Sequence, residues 1–134
     1  MKLEFLKNIN EYNEHAIRLF DFNSSQANEF RHTIDGLIAN REDHIDLSSL
    51  DFIQSINCKL TLRVGQSDEG ISTVDELNFF CDLTINNYKN MMQLLSPFCR
   101  KESSGYQWLY DIDTPIDFLF SAGKEMPEVE PSED

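Results

Sequence analysis

A chain of 134 residues with 24 acidic and 11 basic side chains carries a formal net charge of −13, and 40% of its residues are apolar. That length predicts one domain around one core, and that apolar content excludes disorder over most of the chain. The charge excludes direct binding to nucleic acid or anionic lipid, since like charges repel, and favours a basic protein partner.

At the N-terminus Glu4, Lys7 and Asn8 interrupt the apolar residues, so no signal-peptide core forms. No run approaches the about 18 apolar residues that a membrane span needs. Cys58, Cys81 and Cys99 are odd in number, widely spaced and set in apolar contexts. They fit buried thiols in a reducing compartment better than a disulfide framework, which predicts a cytoplasmic protein.

Leu3, Leu6, Ile9 and Tyr12 recur every three residues, and the first segment is expected to be a short helix before a strand at HAIRLFDF, residues 15–22. Ser24 or Ser25 then caps a helix whose apolar face is Ala27, Phe30, Ile34, Leu37 and Ile38, with Asn40 as its stop. HIDL reads as an edge strand, and SSLDFIQSI as either a strand or a single helical turn. CKLTLRV alternates cleanly, with Cys58, Leu60, Leu62 and Val64 against Lys59, Thr61 and Arg63. After the turn GQSDEG, ELNFFCDLT places Leu77, Phe79, Cys81 and Leu83 on one face.

Thr84 caps a second helix, whose Ile85, Tyr88, Met91, Met92 and Leu95 form a core stripe; Pro97 is expected to end it. GYQWLYDIDTPIDFLFS reads as a hairpin with the loop DIDTP. Tyr106, Trp108 and Tyr110 share one face of its first strand, and Ile116, Phe118 and Phe120 one face of its second. Together these elements predict a single α+β domain over residues 1–123: an antiparallel sheet of about five strands with two main helices packed on one face. Residues 124–134, rich in acids and proline, are expected to form a disordered tail.

In that arrangement the far face of the sheet holds Lys59, Thr61, Arg63, Phe80, Asp82, Gln107, Leu109, Asp111, Asp117 and Leu119. Apolar residues ringed by charge are how protein interfaces are built. The expected partner-binding residues are therefore Phe80, Leu109 and Leu119 at the centre, with Asp68, Glu69, Asp82, Asp111, Asp113 and Asp117 around them.

Catalytic signals are sparse. Asp111 and Asp113 form a D-x-D pair of the kind that supplies oxygen ligands to divalent cations, but aspartates in a turn also accept backbone hydrogen bonds. His15, His32 and His44 stand apart from one another and from every cysteine, so no zinc-ligand spacing exists. Cys99 precedes Arg100 and Lys101, but a helix C-terminus is the wrong pole for a thiolate. No G-x-S-x-G, Walker or G-x-G-x-x-G motif is present. We expect no catalytic residue, no metal and no cofactor, hence no enzyme.

The succession ELNFFCDLT, a helix ending LLSPFC, and GYQWLYDIDTPIDFLFSAG resembles the small acidic bacterial immunity proteins of polymorphic toxin and contact-dependent growth inhibition systems. The resemblance spans residues 60–123 and lies in element order, size and charge. It implies a cytoplasmic, non-enzymatic protein that binds and neutralises the C-terminal domain of a cognate toxin, frequently a basic nuclease. Binding residues vary between such pairs, so the residues named above rest on the surface pattern alone. Two alternatives stay open: a nucleic-acid mimic such as an anti-CRISPR protein, and a small metal-binding or enzymatic domain using Asp111, Asp113 and Asp117.

Overall fold

Met1, Leu3 and Phe5 alternate with Lys2 and Glu4, and this period of two prevails over the three-residue recurrence that predicted a helix. In the computed structural model, which describes residues 1–40, 43–112 and 115–127, the chain begins with strand β1, Lys2–Leu6. β1 runs antiparallel to β2, His15–Phe20, with Leu3 opposite Leu19 and Glu4 opposite Arg18. Helix α1, Ser24–Ala39, follows. Its N-cap is Asn23, one residue ahead of the expected serines, in a capping box with Gln26; Asn40 closes it as expected.

Next come β3, His44–Asp46, a 3-10 turn at Leu47–Ser49, and the two-residue β4, Gln54–Ser55. The strands β5, Lys59–Val64, β6, Gly70–Thr73, and β7, Asn78–Leu83, precede helix α2, Ile85–Arg100. The terminal hairpin is β8, Tyr106–Tyr110, and β9, Ile116–Ser121.

The strands form two mixed sheets rather than one antiparallel sheet: β4-β1-β2-β9-β8 and β3-β5-β7-β6. The centre of each is a parallel pair, β2 with β9 and β5 with β7. Parallel neighbours require a crossover between them, and here the intervening chain supplies it. The two sheets and the helices share one core. Phe5 of the larger sheet meets Phe79 of the smaller, with ring centroids 4.6 Å apart.

α2 ties the two sheets together. At one end Phe98 packs edge-on to Phe120 of β9, 5.1 Å between centroids. At the other end the Tyr88 hydroxyl lies 2.8 Å from the carbonyl oxygens of both Arg63 and Cys81. It has one proton for two acceptors, and burial pushes its pKa above the usual tyrosine value, so it stays protonated and donating. Tyr88→Phe leaves those carbonyls without it at the α2 contact. We expect a loss of about 1–3 kcal/mol, checked by urea unfolding.

Pro97 does not end α2, which continues to Arg100. Proline removes the hydrogen bond to the carbonyl four residues earlier, here Gln93. Both residues are exposed, so water can take that carbonyl. One residue back, the Met92 carbonyl accepts from Ser96 Oγ at 3.1 Å and from Arg31 Nε at 3.2 Å.

In the terminal hairpin, Trp108 pairs with Leu119 but Tyr110 pairs with Phe118, so two residues of β8 oppose one of β9. The shift corrects the expected single face for Tyr106, Trp108 and Tyr110. Trp108 follows Leu119 to the outer side, Tyr106 is exposed, and Leu109 and Tyr110 are both buried. Every residue of β9 is buried, those on its outer side included. On that outer side Arg18, only 5% exposed, pairs with Glu4, and the Lys124 carbonyl lies 3.5 Å from its Nη2. Residues 128–134 of the expected tail lie outside the described residues.

Candidate docking surface

Three of the expected contact residues are interior. Leu119 is 0% exposed, Asp117 1% and Leu109 5%. Leu109 joins the main core through the β8 bulge, and Asp117 and Leu119 lie on the covered outer side of the larger sheet. As the protein is folded they cannot meet a partner, which corrects their place in the expected surface. Asp111 is half-buried beside them, and Asp113 lies outside the described residues. Asp111 and Asp117 therefore do not form an exposed acidic row.

The other four, Asp68, Glu69, Phe80 and Asp82, belong to the smaller sheet. Its outer face runs in two rows across the strands. Asp46, Thr61, Phe80 and Ser72 are register neighbours in one row, and His44, Arg63, Asp82 and Gly70 in the next. None of the side chains on this face is buried, while Leu60, Leu62, Phe79, Cys81 and Leu83 on the opposite face are.

Arg63 organises the centre. Its Nε and Nη2 donate to the two carboxylate oxygens of Asp82, at 2.7 and 2.8 Å, and its guanidinium carbon sits 4.1 Å from the centroid of the Phe80 ring. This bidentate, stacked arrangement fixes the side chains and leaves Phe80 half-exposed. Arg63 is neutralised by Asp82, so the sign of the face is set by its margin. Asp43, Asp68 and Glu69 are exposed there, and Asp46 is half-buried, accepting from the Ser48 amide. Asp68 also accepts from the Thr84 amide at 2.7 Å, which holds the β6 approach against the start of α2.

The turn from β6 to β7 continues this margin and was missed by the strand pattern, which put Leu77 inside with Phe79. β7 starts at Asn78, so Leu77 falls in the turn and is 60% exposed, beside a fully exposed Val74. The turn is rigid. Asp75 accepts from the Asn78 amide at 2.8 Å, its side chain at 2.9 Å and the Leu77 amide at 2.9 Å, and these bonds hold its carboxyl well below the usual carboxylate range. Glu76 takes a positive φ of 58° and pairs with Lys7. The sequence signal was the acidic pair Asp75-Glu76 between two apolar residues, a turn composition.

At the end of the face, Ile56, Cys58, Lys59, Leu77 and Asn78 help line an open cleft of about 380 Å³. Burial pushes the Cys58 thiol up to about 12, so it sits at the cleft as a neutral small side chain. Among the described residues no three His, Cys, Asp or Glu side chains converge as a metal site, and no helix is long and apolar enough to cross a membrane. Compared with protein-family models, curated proteins and solved structures, the chain matches none.

Proposed function

We propose that this chain is a non-enzymatic binding protein whose smaller sheet captures a basic protein domain, and that the partner is a toxin domain, a nuclease, neutralised by occlusion. The observation that carries this reading is the uncovered face around Phe80: a fixed, half-exposed aromatic within an acidic margin, on a chain of net charge −13. Asp68, Glu69 and Asp43 would meet the lysines and arginines with which a nuclease holds substrate phosphate. Phe80 would supply the desolvated contact that slows release. In this reading the protein acts in the cytoplasm, where a nuclease finds its substrate.

This reading predicts that a gene beside this one encodes a secreted protein with a basic C-terminal domain, and the test uses that domain. Glu69→Lys changes an exposed residue and is expected to lower the association rate about tenfold at low salt, the difference shrinking as salt screens the field. Phe80→Ala is expected to leave association nearly unchanged and to raise the dissociation rate about tenfold or more. An association rate indifferent to both salt and Glu69→Lys sinks the reading, as does a neighbouring gene that encodes no basic domain.

A further inference from the structure

Against the acidic background, one groove is built from donors. α1 and α2 pack along each other, and on their shared surface Asn28 and Arg31, three apart on α1, face Ser96, Cys99 and Arg100, three and four apart on α2. These five residues line an open cavity of about 290 Å³. None is a carboxylate, although acids outnumber bases 24 to 11 in the chain.

The two guanidiniums are available for a ligand. The Lys and Arg side chains that form ion pairs among the described residues are Lys2, Lys7, Arg18 and Arg63; neither Arg31 nor Arg100 is one of them. Arg31 is half-buried, and its Nε donates to the Met92 carbonyl at 3.2 Å, a bond that fixes the plane of the guanidinium and leaves both terminal nitrogens to donate elsewhere. Ser96 spends its proton on the same Met92 carbonyl, at 3.1 Å, so its oxygen is free to accept from a protonated ligand. Both arginines also act on the Cys99 thiol, where their pull opposes the upward push of burial. Their charges therefore converge on one place.

We propose that this groove is a binding site for an oxyanion group of a small ligand, a phosphate in preference to a carboxylate. Two guanidiniums, one already oriented, and the Asn28 amide offer more donors than a carboxylate can use, and a doubly charged phosphate gains more from two cations than a singly charged group does. The site is independent of the sheet face and of the toxin reading, since none of its residues is shared with that surface.

Cys99 supplies the reporter. It is half-buried, while Cys58 and Cys81 are buried, so a maleimide labels Cys99 first. The probes are inorganic phosphate, acetate, and sodium chloride at matched ionic strength. Phosphate is expected to slow labelling saturably, with half-effect at about 1–10 mM, and acetate to need about tenfold more. Arg100 is exposed, so Arg100→Gln keeps the fold, and it is expected to weaken the phosphate effect about tenfold. Amide shifts on phosphate addition should centre on Asn28, Arg31 and Cys99. Equal slowing by chloride, an unchanged response in Arg100→Gln, or no slowing with phosphate would each overturn the proposal.

Discussion

Arg18→Ala is expected to destabilise the protein by about 3–5 kcal/mol, the largest loss of any single charged residue among those described, measured as a shift in urea midpoint at unchanged slope. Arg18 is buried at the centre of the larger sheet, and its Nε donates to Glu4 Oε1 at 3.0 Å from the neighbouring strand. Its guanidinium carbon also lies 3.8 Å from the centroid of the Phe20 ring. Truncation removes the ion pair and the stacking contact together, and it leaves the Glu4 carboxylate, 16% exposed, without its counter-charge. The cost comes mainly from that stranded charge, so the double variant Arg18→Met with Glu4→Leu is expected to recover most of the loss. A double variant as unstable as Arg18→Ala would mean that shape, not charge, makes the site sensitive.

Phe120→Ala is expected to cost about 3–5 kcal/mol and to lower the melting temperature by about 10 °C or more. The Phe120 ring stacks on Phe22 at 4.1 Å and on Phe30 at 5.8 Å, and meets Phe98 edge-on at 5.1 Å. Those contacts join β9 to α1, to α2 and to the segment that caps α1, so truncating the ring opens a cavity where these elements meet. Phe120→Leu, which keeps most of the volume, is expected to cost less than about 1.5 kcal/mol. Equal losses in the two variants would show that the ring contacts, not the cavity, set the cost.

The helices and the strands β5 and β7 were legible because their signals are local. The α1 face at Ala27, Phe30, Ile34 and Leu37 and the α2 face at Tyr88, Met91 and Leu95 follow from helical spacing, and Thr84 caps α2 as its chemistry predicts. Pairing was not legible, because alternation fixes which side chains share a face and not which strand lies alongside. His15 pairs with Ile116 in parallel, and nothing within either segment encodes the other. β4 has no side-chain signal at all; it exists because the Gln54 and Ile56 amides donate to Met1 and Leu3 carbonyls, both at 2.8 Å.

The same limit divided the expected docking surface. Alternation in IDFLFS separates Asp117, Leu119 and Ser121 from Ile116, Phe118 and Phe120, but a polar residue facing water and one facing a covered layer look alike in sequence. Asp117 and Ser121 proved to be buried polar groups beside the Arg18 pair. In β7 the same alternation placed Phe80 and Asp82 correctly on an open face.

The most direct test of the docking face is a cross-saturation measurement, in which the bound basic domain is irradiated and the amide signals of this chain are followed. Attenuation centred on Thr61, Ser72, Phe80 and Asp82, fading through Asp68 and Glu69, is the predicted result. Attenuation confined to α1 and α2, with the smaller sheet untouched, would contradict it.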